Sequence, residues 1–162
     1  MVAETIEAKY HQMECRHLMT LHFNSDPTIV VGAVPLGHRI INPFSGGHFS
    51  GPGIRGAILA GFGGWILRRR DGAAENEARA ILKTEDGVII FLRYEGVRHG
   101  PPEILAKIGK EVLDPKSYYL RIRPVFETAD PRYAWLNNTV SIGYGDRRPE
   151  GPVYHLYEIF ER

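Results

Sequence analysis

The sequence contains a single cysteine, Cys15, and no long apolar run. One cysteine excludes an intrachain disulfide and is typical of proteins from a reducing compartment, so we expect a cytoplasmic protein. The first residues mix charged and apolar side chains and lack the basic-then-apolar pattern of a secretory signal. No stretch approaches the roughly 20 apolar residues that a membrane helix needs. The sequence therefore predicts a soluble protein without a membrane partner.

A strong excess of one charge is also absent. The chain has 20 basic and 19 acidic residues, a formal net charge of +1, and the two signs are interspersed. Such a balance creates no extended positive field, so we expect no nucleic acid partner. The 162 residues predict one domain, 1–162, large enough to bury a core without disulfides. The first 15 or so residues are expected to be poorly ordered.

Established catalytic and cofactor motifs are missing. The glycine-rich stretch FSGGHFSGPGIRG lacks the Gly-Lys-Ser/Thr ending of a phosphate-binding loop, and no Gly-x-Ser-x-Gly elbow occurs. The seven histidines do not show the spacing of known metal sites. We therefore expect neither a metal nor an organic cofactor.

The most informative structural features of the sequence are its turn signals. Asp-Gly pairs at 71–72 and 86–87 favour two tight hairpins, and Glu150-Gly151 favours a third. The flanking segments, such as VIIFLRY and YYLRIRPVF, are β-rich and alternate. About eight to ten short strands predict an all-β fold, either an antiparallel up-and-down β-barrel or a sandwich. The barrel is favoured because closure removes unpaired edges.

One helix is predicted near 102–113. The segment PPEILAKIGKEVL begins with two prolines, which suit a first helical turn, and its Ile104, Leu105, Ile108 and Val112 fall on one stripe. We expect this short helix to close one end of the barrel.

The segment DPRYAWLNN combines aromatic and hydrogen-bonding side chains behind an Asp-Pro turn. In an extended stretch Tyr133 and Trp135 would face the same side, where they would either wall a cavity or seal the core. His99 follows a predicted strand and has the side chain best suited to proton transfer near neutral pH. Alternatively, Arg98 and His99 fix their loop by bonding backbone carbonyls.

Three stretches, GVRHGPPE, SYYLRIRPVFETADPRYAWLN and GGHFSGPGIRG, resemble an uncharacterised family, domain-of-unknown-function family 3237. The likeness runs from about Leu18 to Phe160, implies a calycin-like or lipocalin-like barrel, and supplies no settled activity. It also implies an aspartate immediately before the tryptophan, whereas Gly64 precedes Trp65 here. If that carboxylate is a catalytic base in the family, this chain lacks it.

These residues predict a pocket for a small oxygenated aromatic or cyclic metabolite. The hypothesis is a cofactor-independent isomerase, cyclase or lyase in which arginine and tyrosine stabilise an oxyanion and His99, Glu127 or Asp130 moves the proton. A non-catalytic protein that binds a small hydrophobic ligand is the alternative, a filled barrel that binds a protein partner is a third, and a homo-oligomer is compatible with each. The predicted catalytic residues are His99, Arg121 and Tyr133, and the predicted ligand-binding residues are Arg55, Trp65, Tyr94, Arg98, Tyr119, Trp135 and Asn137.

Overall fold

The computed structural model describes residues 13–160 and consists mainly of ten antiparallel strands. The prediction for the N-terminal segment falls mostly on residues 1–12, which lie outside the described residues. In the part of the chain that is described, no helix is long and apolar enough to cross a membrane. The strands are β1 (Glu14–Ser25), β2 (Ile29–Val34), β3 (Gly37–Gly51), β4 (Ile54–Ile58), β5 (Phe62–Arg68), β6 (Ala74–Thr84), β7 (Ile89–His99), β8 (Tyr119–Glu127), β9 (Ser141–Arg148) and β10 (Gly151–Phe160).

The ten strands form a closed barrel with eight strand positions, which confirms the predicted fold. β1 and β2 lie end to end along one edge of β3, and β4 and β5 lie end to end between β3 and β6. From β6 to β10 each strand pairs with the next in the chain. β1 closes the barrel because it pairs with both β10 and β3.

The three predicted hairpins are all present. Asp71-Gly72 joins β5 to β6, Asp86-Gly87 joins β6 to β7, and Glu150-Gly151 joins β9 to β10. Gly72 and Gly87 have positive φ angles of 86° and 89°, which glycine adopts without steric cost. The turn residues therefore determine this register.

The segments HRIINPF and GHFSG predict two separate strands. The structure joins them without a turn in one strand, β3. A Cβ on Gly47 would lie 2.0 Å from the carbonyl oxygen of His22 on β1. Glycine at this position lets β1 and β3 approach closely where the barrel wall bends.

The predicted helix is short. α1 spans Pro102–Leu105, and hydrogen-bonded turns continue the segment to Glu111. Gly109 has a φ of 77°, outside helical geometry, so a regular helix cannot continue to residue 113. Ile104, Leu105 and Ile108 pack against the core, so the segment covers part of this end of the barrel.

The DPRYAWLNN segment closes the opposite end of the barrel. Asn137 makes two hydrogen bonds with the Thr128 backbone, of 2.8 and 2.9 Å, and the Tyr133 hydroxyl donates to Asp86 at 3.1 Å. These contacts hold a 3-10 helix, Ala134–Asn138, across the barrel end. Leu136 is 1% exposed and Trp135 is 44% exposed. Leucine therefore seals the core, and the tryptophan faces solvent.

Acid should weaken this closed end first. Arg132 donates to Asp130 and holds the pKa of that carboxyl at about 2, below the value of about 3.9 in an unfolded chain. Because the folded pKa is depressed, the stabilisation is complete above about pH 4 and is lost as the pH falls toward about 2. We expect Asp130→Asn to flatten the dependence of the urea midpoint on pH across this window. An unchanged acid profile would contradict the assignment.

Candidate functional site

The barrel interior is apolar through most of its length and polar at the end away from Leu136. This open end is where β6 begins at Ala74, which pairs with Arg98 near the end of β7. Residues from seven strands line a cavity there. Its polar members other than Glu77, which we call the inner cluster, are Asn42, Asn76, Tyr94, Arg98, Arg147 and Tyr154.

Two arginines of the inner cluster lack an acidic partner. Within residues 13–160, neither Arg98 nor Arg147 forms a salt bridge. Burial lowers the pKa of both guanidinium groups, and nearby Arg147 lowers the pKa of Arg98 further. Arginine still remains protonated near neutral pH. Two partly desolvated cations without a salt bridge are costly for the protein and favour an anionic oxygen.

Two buried tyrosines stand beside the arginines. Tyr94 and Tyr154 are each 3% exposed, and their ring centroids are 5.1 Å apart. Burial raises the pKa of both phenols, so both are neutral at physiological pH. The two side chains also hydrogen-bond to each other, which leaves one hydroxyl proton to donate to an oxyanion.

Two amide oxygens of the inner cluster have no hydrogen-bond partner in the described protein. They are Oδ1 of Asn42 and Oδ1 of Asn76. The Asn42 amide nitrogen donates to Ser25 Oγ at 3.3 Å, which leaves Oδ1 as the atom without a partner. A buried acceptor without a donor costs about 1–3 kcal/mol, so a ligand or solvent donor is favoured here.

The site has a small inner part and a larger mouth. The inner cavity has a volume of about 20 Å³, enough for one small polar group. Arg98 also lines the mouth, a cavity of about 520 Å³ that includes Arg68, Asp71, His99 and Leu105. Arg98 is the residue that the two cavities share.

The inner cavity lacks an available carboxylate. Of the described residues that line it, Glu77 alone is acidic, and its exposed side chain pairs with Arg79 at 3.2 Å. Gly64 lines the same cavity, and a Cβ there would lie 3.6 Å from Ala78 Cβ and 3.9 Å from Phe44. A Cβ therefore fits at Gly64, where the family resemblance implies an aspartate.

Three residues predicted from the sequence lie at this end of the barrel. Tyr94 and Arg98 belong to the inner cluster, and His99 lines the mouth. The His99 ring stacks on Tyr119, with centroids 4.8 Å apart.

The other predicted residues lie elsewhere. Arg121 is on the outer barrel surface, with its guanidinium 4.6 Å from the Tyr119 ring and 4.1 Å from the Tyr144 ring. Together with Trp65 these groups border a separate outer groove of about 740 Å³. Arg55 pairs with Glu85 at 2.9 Å in solvent. The remaining three residues belong to the closed end: Tyr133, Trp135 and Asn137.

Four members of the inner cluster were not predicted: Asn42, Asn76, Arg147 and Tyr154. One signal was available for Arg147, which shares strand parity with Gly143 and Gly145. A Cβ at either glycine would lie within 3.0 Å of core side chains, so that parity faces inward. The two asparagines carry no comparable signal in the sequence.

The sequence and the fold were both compared with those of known proteins, and both have similar relatives. Residues 13–159 match the model of the family described as "Protein of unknown function (DUF3237)". A conserved protein of unknown function from Rhodopseudomonas palustris has a TM-score of 0.89 and 31% identity, covering 92% of this chain and 99% of that chain. A β-barrel-like protein from Acinetobacter baumannii has a TM-score of 0.80 and 33% identity, covering 92% and 97%.

A more distant structure shares only the fold. It is described as an enzyme from Penicillium herquei, with a TM-score of 0.70 and 18% identity over 91% of this chain and 95% of that chain. At this identity the likeness concerns the barrel and carries no residue roles.

Proposed function

We propose that this chain, which belongs to the DUF3237 family, binds a small oxygenated ring compound at the open end of its barrel and converts it by cofactor-independent proton transfer. One observation carries the proposal: Arg98 and Arg147 line the same cavity, are both partly desolvated and form no salt bridge with the described residues. The pair would hold an enolate, phenolate or carboxylate oxygen.

The chemistry would divide between the inner cavity and the mouth. An oxyanion that develops beside Arg98 and Arg147 would gain charge-assisted hydrogen bonds in a site with little solvent screening. Tyr154 would donate a further hydrogen bond, since its phenol is neutral. His99, which lines the mouth, would accept or return the proton. This division supports an isomerisation, a cyclisation or an elimination.

A binding protein without catalysis is the second candidate. It is favoured by the lack of a histidine or available carboxylate among the described residues lining the inner cavity. A carrier needs complementary charge and shape but no general base. Catalysis is also compatible with this barrel, because a protein of the same fold is described as an enzyme.

Thermal stabilisation across a panel of ring-bearing acids, phenols, ketones and lactones separates these two functions. Each compound that raises the melting temperature is incubated with the protein and analysed by mass spectrometry. The enzyme proposal predicts stabilisation with a change in the compound. Stabilisation by many anions with conversion of none would favour the carrier, and no stabilisation by any anion would contradict both.

A carboxylate introduced at Gly64 should block the anion site. Gly64→Asp places a negative charge in the cavity that Arg98 and Arg147 line, where it would pair with them and repel an anionic ligand. We expect affinity for a ring-bearing carboxylate to fall on the order of tenfold or more.

Gly64→Asn is the matched control, because it adds almost the same volume without charge. Calorimetric titration of both variants with phenylacetate should show the large loss for aspartate alone. Equal losses would indicate that the added volume, and not the charge, obstructs the cavity.

A further inference from the structure

We infer that the ligand carries a hydroxyl group on the carbon next to the one bearing its anionic oxygen, as in a 2-hydroxy acid or a catecholate. This inference rests on the proposed function, because it concerns the ligand of the same site. It adds a requirement for a hydrogen-bond donor to the requirement for negative charge.

The donor requirement comes from the two asparagines. The arginines offer only N–H donors, whereas Oδ1 of Asn42 and Oδ1 of Asn76 can only accept. All four side chains line the same inner cavity. A ligand that satisfies every group must therefore present an anionic oxygen to the arginines and a donor to the amide oxygens.

The orientation of Asn42 supports this arrangement. Its Nδ2 donates to Ser25 Oγ, and its Oδ1 is buried without a hydrogen-bond partner. Asn42 is 5% exposed. In this orientation the amide offers an acceptor to a ligand.

The size of the cavity restricts the donor to a small group. A volume of about 20 Å³ accommodates a hydroxyl but excludes a ring. Arg98 lines both the inner cavity and the mouth, so the anionic oxygen would sit at their junction. The hydroxyl that extends past this junction must lie close to the anionic oxygen, so the two groups would be borne by adjacent carbon atoms.

Four compounds of similar shape test the requirement by calorimetric titration at neutral pH. Phenylacetate has the charge alone, mandelate adds an adjacent hydroxyl, α-methoxyphenylacetate replaces that hydroxyl with an acceptor, and 1-phenylethane-1,2-diol lacks the charge. We expect the better mandelate enantiomer to bind on the order of tenfold more tightly than phenylacetate. The methoxy compound should show no such gain, and the diol should bind most weakly.

Asn76→Ala identifies the partner of the hydroxyl. In this variant the preference for mandelate over phenylacetate should fall to within about threefold. A cooperative urea unfolding transition establishes independently that the variant is folded. A preference that persists in Asn76→Ala would overturn the asparagine role.

The outcomes separate this inference from the proposed function. Equal affinities for phenylacetate and mandelate, both dependent on Arg98, would overturn the hydroxyl requirement and leave the anion site standing. Binding that does not depend on Arg98, or no binding of any anion, would overturn both.

Discussion

Arg98→Met is expected to lower affinity for a ring-bearing carboxylate on the order of 100-fold while leaving a neutral analogue within about threefold. Methionine keeps much of the side-chain volume but removes the charge and the N–H donors that would face the ligand. Because the substitution also removes a desolvated cation without an acidic partner, the unliganded protein should be no less stable. Calorimetric titration and a urea unfolding curve measure the two effects.

Arg121→Met is the matched control for this experiment. Arg121 is the arginine that the sequence favoured, and its guanidinium stacks between Tyr119 and Tyr144 on the outer surface. Its loss should leave carboxylate affinity nearly unchanged if the ligand enters the barrel. A larger loss for Arg121→Met than for Arg98→Met would move the anion site to the outer groove.

Leu136→Ala is expected to lower the free energy of unfolding by about 2–5 kcal/mol. Leu136 is 1% exposed and seals the core at the closed end, so alanine would leave a cavity that the rigid 3-10 helix cannot fill. Urea denaturation measured by circular dichroism gives the value directly.

The neighbouring Trp135→Ala supplies the comparison. Trp135 is the larger side chain but is 44% exposed, so its removal should cost less than about 1 kcal/mol. A tryptophan substitution that destabilises more than the leucine substitution would mean that the aromatic ring closes the barrel. Carboxylate affinity measured on Trp135→Ala should remain unchanged, because the residue lies at the end away from Arg98.

The fold could be predicted from the sequence because the sequence signals for it are local. Asp-Gly pairs determine hairpins whatever the rest of the chain does, and alternation assigns faces within each strand. In β8 the pattern correctly separated Leu120 and Ile122 from Arg121 and Arg123. The role of Gly47 was harder to predict, because a glycine within a coiled strand and a glycine in a turn look alike in a sequence.

The candidate site was harder to predict from the sequence, because the pairing of strands that are distant in the chain brings its residues together. Arg98 meets Arg147 and Asn42 only because β7, β9 and β3 place them at one end of the barrel. A single sequence shows which residues of one strand share a face. It does not show which strands lie opposite each other across the barrel interior. The aromatic segment around Trp135 attracted the functional hypothesis through its composition, although most of its polar groups bond to the protein itself.

Tyr133 shows the same limitation at the level of one residue. Its hydroxyl suggested a catalytic donor, but it donates to Asp86, a carboxylate 47 positions away in the sequence. That pairing depends on the β6–β7 turn and the 3-10 helix meeting at the closed end. The predicted catalytic role of Tyr133 stays a prediction, separate from the site at the open end.

A crystal structure of the protein soaked with phenylacetate tests the anion site most directly. We predict that the carboxylate lies within hydrogen-bond distance of both the Arg98 and Arg147 guanidinium groups, with the ring in the mouth beside Leu105. A carboxylate bound in the outer groove beside Arg121, with the inner cluster untouched, would contradict the proposal.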